Sequence, residues 1–160
     1  LRFSTVYVLS PRMRFDLTVN EFTKELSLNR TLEVYGGQFW RPYCHVRDFS
    51  LAIDAVLESD VSKVKFNVFN VGSTSENYTK KMLVELISTV IKNPSISFIK
   101  KDEDPRDYKV SCDKIRNQLG FEPKNRVIDG IKEIYEEIIS KRIHNLEDQN
   151  FYNIPIQIEK

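Results

Sequence analysis

Cysteine and histidine each occur only twice in these 160 residues, tryptophan once and glycine five times. Cys44 and Cys112 lie far apart, in no CxxC or Cys/His pattern. That argues against a disulfide framework or a zinc site, and for two reduced, structural thiols. Neither sign of charge prevails: 24 basic and 23 acidic side chains leave a formal net charge of +1. No overall field therefore draws the chain to nucleic acid or to an anionic bilayer, and no basic stripe with interleaved aromatics marks a nucleic-acid binder. Long apolar runs are missing too. None approaches the ~20 residues that span a membrane, and no basic-then-apolar leader opens the chain, so the expected location is cytoplasmic. There is no internal repeat and no low-complexity tract. At 41% hydrophobic and 29% charged, the composition is that of an ordinary soluble protein with enough apolar mass for a core.

What is present is an alternation of strands and helices, which predicts an α/β architecture with no break into two independent domains. "LRFSTVYV" reads as a strand entered at residue 1, which implies the later part of a longer protein. A mixed helix follows from about Leu17 to Asn29, with Asp16 or Thr18 placed to cap it. "TLEVYGG" is a short strand closed by glycines. "CHVRDF" is a strand turning directly into a helix whose apolar set is Phe49, Ile53, Val56 and Leu57. "VKFNVFNVG" reads as a buried strand. The helix from about Thr79 carries Leu83, Leu86, Ile87, Val90 and Ile91 at i, i+3, i+4, i+7 and i+8. "ISFIK" is a strand and "KDEDPRDY" a charged loop. "CDKIRNQLGFEP" is a helix stopped by Gly120 with Pro123 beyond. A last helix places Val127, Ile131, Ile134, Tyr135 and Ile138 on one face. After His144 periodicity is lost, so residues 144–160 are expected to form a tail, loosely ordered or packed on a partner.

The densest chemistry lies in "GGQFWRPYCHVRDF". Arg41 offers a planar fork of donors with permanent charge, suited to two phosphate oxygens, or else to stacking on Trp40 or Tyr43. Gly36 and Gly37 permit positive φ or close backbone approach, in a simple turn or beside a ligand. Pro42 biases Arg41 toward extended geometry. His45, in a strand before a helix, reads as structural, Asp48 as a charge at a helix N-terminus, and His144 as exposed.

In order, "LRFSTVY", "VNEF", "LEVYGGQFWRPYCHVRDF", "FNVG", "DPRDYKV" and "LGFEP" resemble the C-terminal half of the extended short-chain dehydrogenase/reductases, the nucleotide-sugar epimerases and dehydratases. The match covers residues 1 to about 138. It implies a Rossmann-type α/β protein in which residues 1–143 are mostly the small substrate-binding lobe, with late strands of the nucleotide-binding sheet. It also implies NAD or NADP as cofactor and a nucleoside diphosphate sugar as ligand. The partners are then the chain's own N-terminal Rossmann half and, for the parent protein, a homodimer mate. By resemblance Phe3, Ser4 and Thr5 run past the nicotinamide end of the cofactor. Thr5, Asn20, Tyr35, Arg41, Asp104 and Arg106 are the substrate-binding residues, with Arg41 at the pyrophosphate. Asn20 is also a candidate helix cap, and Asp104 with Arg106 a candidate solvated ion pair.

Two departures from the family pattern stand out. None of the seven tyrosines has a lysine four positions on, and no G-x-x-G-x-x-G loop occurs, so no catalytic and no metal residue is assigned. The expectation is a sugar-nucleotide-binding portion whose chemistry needs the missing half. The alternative is a non-catalytic module of the same fold that senses a nucleotide or engages a partner. The second departure is Val8, where many relatives have glycine. A β-branched residue takes glycine's conformations poorly, so either the loop differs or the site has lost precision.

Overall fold

The opening stretch forms two strands, not one. In the computed structural model, which describes residues 1–104 and 106–153, the chain begins with β1 (Arg2–Phe3) and β2 (Thr5–Tyr7). It continues through α1 (Thr18–Ser27), β3 (Leu32–Tyr35), β4 (Trp40–His45), α2 (Val46–Leu57), α3 (Val61–Val64) and β5 (Asn70–Val71). Then come β6 (Asn77–Thr79), α4 (Lys80–Ser88), β7 (Ile96–Ile99), α5 (Asp113–Leu119), α6 (Val127–Ile139) and a 3-10 turn at Gln149–Phe151.

Ser4 divides the first two strands because the chain changes partner there. β1 runs parallel to β5, with Arg2 beside Asn70, whereas β2 runs parallel to β4, with Thr5 beside Tyr43. Ser4 Oγ donates to the Val71 carbonyl at 2.7 Å. β6 closes antiparallel on β4, with Trp40 opposite Thr79, and β3 pairs in parallel with β7. The expected buried strand "VKFNVFNVG" is mostly something else. Val64 ends α3, Phe66 sits at φ 58° and is 95% exposed, and only Asn70–Val71 pairs.

Two apolar clusters hold these elements. The larger gathers α1, α4 and α6 against β2, β3 and β4 through Val19, Phe22, Leu26, Leu83, Ile87, Ile131 and Ile134. The stripes expected on α4 and α6 are the ones that pack: Leu83 and Ile87, and Val127, Ile131, Ile134 and Ile138, are buried. Thr79 Oγ1 caps α4 by accepting from Met82 N at 3.1 Å, and Gly120 ends α5 at φ 67°. The smaller cluster joins Ala52, Phe69, Val71, Cys112, Ile115 and Phe121.

On α2 the expected face is not the buried one. Asp48 and Ala52 point inward, while Ile53 and Leu57 are exposed. The reason is polar. The carboxylate of Asp48, fully buried, accepts from Lys124 N (3.0 Å), Asn125 N (3.1 Å) and Asn125 Nδ2 (3.0 Å). Glu76, also buried, accepts from Val127 N at 2.8 Å, the first amide of α6, which has no partner within its helix. Two carboxylates thus fix the entry to α6 from opposite elements. At α1, Leu17 takes the N-cap, and Asp16, expected as a cap, is bidentate to Arg14 at 2.7 Å on both oxygens.

Val8 lies at φ 92°, so the loop keeps a backbone conformation that favours glycine and the valine bears the strain. Its side chain is buried and its N–H donates to Asn20 Oδ1 at 2.9 Å. Relief of roughly 1–3 kcal/mol of strain against loss of about 1.5–3 kcal/mol of burial makes Val8→Gly close to neutral in a urea midpoint. Val34→Gly, equally buried without that strain, is expected to cost ~3 kcal/mol. A Val8→Gly loss as large as that of Val34→Gly would show that no strain is stored.

The tail packs on its own chain as far as residue 153. Phe151 O accepts from Phe15 N at 3.0 Å, and Tyr152 OH bonds the buried Lys24 Nζ at 2.8 Å. The rest of the expected tail, 154–160, lies outside the described residues.

Candidate functional site

The parallel pair β2 and β4 sets Thr5 beside Tyr43, two residues along the strand from Arg41, and the charged loop folds back over β4. Two bonds set its path: Asp107 Oδ1 accepts from Trp40 N at 2.7 Å, and Tyr108 N donates to Trp40 O at 3.4 Å. Between this loop, the start of α1 and the start of α4 lies a cleft of ≈ 360 Å³. Thr5, Arg41, Asp104 and Arg106, all expected at the site, line it together with Thr18, Lys80 and Tyr108. Asp16 and Glu21 complete the wall on the α1 side.

Arg41 is the best-held cation there. Its guanidinium donates to Trp40 O at 2.6 Å, to the Arg106 carbonyl, and to Asp104 Oδ2 at 2.8 Å, and it stands over the Tyr108 ring at 5.8 Å. Asp104 is well buried in side-chain terms, at 4% exposure. The Arg106 amide, which it accepts at 2.9 Å, and then the Arg41 and Arg106 charges hold its carboxyl below the usual range despite that burial. Arg106 itself projects into solvent, 3.5 Å from Asp104. Lys80 Nζ donates to Tyr35 O at 2.7 Å, and burial draws its ammonium below the ordinary lysine value. The cleft thus offers three cations, one fixed and two with donors to spare.

The remaining expected residues lie elsewhere. Phe3 and Ser4 line an adjoining groove of ≈ 420 Å³ with Arg2, Pro42, Asn70 and Val110, and Tyr108 belongs to both spaces. The Phe3 ring tilts against Phe49 with centroids 4.5 Å apart. Asn20 is buried and bonded to backbone at both ends of its amide: besides accepting from Val8 N, its Nδ2 donates to Arg14 O at 3.1 Å. It ties the β2–α1 loop and does not line the cleft. Tyr35 is half exposed with its hydroxyl on Glu33 Oε2 at 2.7 Å. Gly36 does turn at φ 62°, but the Phe39 ring occupies the space where its Cβ would stand, 2.4 Å away. His45 is structural: buried, it caps α2 through Nδ1 (Arg47 N, 3.2 Å), with Nε2 3.3 Å from Glu133. Burial pushes the Cys44 and Cys112 thiols up to about 12 and about 11, so neither is a nucleophile at neutral pH. Among the described residues no cluster of three or more His, Cys, Asp or Glu side chains is placed to hold a metal ion, and no helix is long and apolar enough to cross a membrane.

Lys80 and Tyr108 were not legible in the sequence. Lys80 reaches the cleft through the β4–β6 register, and Tyr108 through the return of the charged loop.

The α/β scaffold is that of the Rossmann-type extended short-chain dehydrogenase/reductases, of which this chain spans a part. Within that fold the chain matches the nucleotide-sugar epimerases and dehydratases. It superposes on UDP-glucuronic acid 4-epimerase from Bacillus cereus, solved with UDP-glucuronic acid and NAD, with a TM-score of 0.72 at 22% identity, covering 87% of this chain and 44% of that one. On dTDP-glucose 4,6-dehydratase from Bacillus anthracis, solved with NAD, the TM-score is 0.68 at 25% identity, covering 89% and 45%. In sequence it is 30% identical to UDP-glucuronic acid decarboxylase 1 of Arabidopsis thaliana over 76% of this chain and 28% of that protein. The chain therefore spans under half the length of each of these proteins. No family model matches it.

Proposed function

We propose that the chain is the sugar-nucleotide-binding portion of an NAD(P)-dependent nucleotide-sugar epimerase or dehydratase. The observation that carries this reading is the convergence of Arg41, Arg106 and Lys80 on one cleft beside Thr5. A diphosphate needs fixed, multivalent donors, and Arg41 is held in place by three protein acceptors. Arg41 is the phosphate anchor, Lys80 and Arg106 the flanking cations, and Asp104 the acceptor for ribose hydroxyls. Asn20 shapes the wall without touching ligand, and Tyr35 acts through its carbonyl by placing Lys80.

NAD or NADP supplies the hydride acceptor and donor in this reading. The residues present fit it as one wall only: Phe3, Ser4 and Arg2 edge the adjoining groove, with Ser4 Oγ already spent on Val71 O. Catalysis is therefore assigned to residues outside these 160. The non-catalytic alternative rests on the absent catalytic motifs and on Val8, whose backbone keeps the glycine-like conformation while its buried side chain adds bulk there.

Calorimetric titration of the protein with UDP-glucuronic acid tests the reading. Arg41→Ala is expected to weaken binding by at least ~1.5 kcal/mol, more than tenfold in Kd. Unchanged affinity would rule out Arg41 as the anchor.

A further inference from the structure

We propose that residues 145–153 form a strap that positions one wall of the cleft, with Phe151 as its principal positioning residue. The inference rests on the reading of the cleft as a sugar-nucleotide site. The wall in question is the stretch from Ser10 to Thr18. Its last three residues, Asp16, Leu17 and Thr18, line the cleft, yet up to the N-cap Leu17 it lies between β2 and α1 with no ladder of its own. It is gripped from two sides. Within the fold, Asn20 bonds Val8 N and Arg14 O.

From outside, the strap supplies the other grip. Phe151 O takes the Phe15 amide at 3.0 Å, and the two rings meet edge-on at 5.8 Å. Tyr152 lies 6.3 Å from the Phe15 ring. Asn153 acts twice: its Oδ1 accepts from Arg12 at 2.8 Å, and its backbone N–H donates to Asp16 Oδ2 at 3.3 Å. That carboxylate is a lining group of the cleft, so the strap reaches the site through one hydrogen bond. The strap is itself anchored to α1. Lys24 Nζ meets Tyr152 OH at 2.8 Å and Glu147 at 3.2 Å, and Arg30 meets Glu147 at 2.8 Å.

A segment held by few backbone bonds opens locally when its tertiary contacts are removed. The experiment is Phe151→Ala, with Phe151→Tyr as the conservative variant, read by amide hydrogen exchange and by UDP-glucuronic acid titration. In Phe151→Ala the amides of residues 15–18 are expected to exchange roughly tenfold faster while those of β3 and β7 stay unchanged. Kd is expected to rise about fivefold, and Phe151→Tyr restores both. Should Phe151→Ala fail to fold, Tyr152→Phe, which removes the hydroxyl's bonds to Lys24, Leu146 O and Glu147 and leaves the ring in place, is expected to show the same pattern at smaller size. Unchanged exchange at 15–18 overturns the strap, and faster exchange with unchanged Kd overturns its role in positioning. Were the unaltered protein to bind no sugar nucleotide, the reading of the cleft would fail, and the exchange data would still decide whether the strap holds the wall.

Discussion

Asp48→Ala is expected to lower stability by about 3 kcal/mol, on the order of 10 °C in Tm for a chain of this size. Asp48 is fully buried and accepts three hydrogen bonds from two adjacent residues, Lys124 and Asn125. Alanine leaves those donors facing a void at the entry to α6. Hydrogen bonds to a charged acceptor contribute about 1.5–3 kcal/mol each, and losses within one cluster do not sum. Because Lys124 is exposed, its amide can recover water, which keeps the figure below the sum. Asp48→Asn, which keeps one acceptor oxygen, should fall between. The measurement is a urea midpoint at unchanged m-value. A loss under ~1 kcal/mol would mean that the loop before α6 stands without its carboxylate.

The second large effect has an unexpected sign. Glycine inside a helix ordinarily costs about 1 kcal/mol relative to alanine, so Gly130, within α6, would be a natural site to stabilise. Here Gly130→Ala is expected to destabilise by about 2–3 kcal/mol, because a new methyl overpacks a closed interior. A Cβ on Gly130 would lie 2.4 Å from Tyr7 Cε2 and 2.6 Å from Cδ2. The ring cannot swing clear: Tyr7 is 1% exposed and stands edge-on to His45 at 5.5 Å. Reduced thermal stability in Gly130→Ala, rescued by Tyr7→Leu, is the expected pair of results. A stabilised single variant would show that the ring yields.

These two residues illustrate what the sequence could and could not reveal. The α4 and α6 stripes were legible because a helical period is local, and so was Gly120 as a stop. Gly130 was not, since its reason is a tyrosine ring on β2, more than a hundred positions earlier. The inward face of α2 was misread for a similar cause. Apolar spacing chose Phe49, Ile53, Val56 and Leu57, but the three donors near residue 125 draw Asp48 inside and rotate the buried stripe onto Ala52. The division of the first strand at Ser4 depends on two partners, β5 and β4, that no local pattern announces. In the cleft, Thr5, Arg41, Asp104 and Arg106 were legible through the ordered family motifs, and the structure brings those four together. Asn20 and Tyr35 share the motifs and not the cleft. A motif marks a place in the chain, and a side chain such as Asn20 can spend both ends of its amide on the backbone that makes the place.

The strand pairing has a kinetic consequence. Among the described residues three of the four ladders are parallel, and they join Arg2 to Asn70, Thr5 to Tyr43 and Leu32 to Ile96. Parallel ladders of this reach must close long loops before they gain any stability, and such topologies fold slowly for their size. Among the described residues only β4 with β6 pairs antiparallel, and it too spans more than thirty residues. Refolding from denaturant should therefore pass through a stage in which α1, α4 and α6 have collapsed together while β1 still waits for β5. During that wait the apolar side chains of Phe3 and Val71 are open to other molecules, and dilute, cold refolding is the condition that favours the correct pairing.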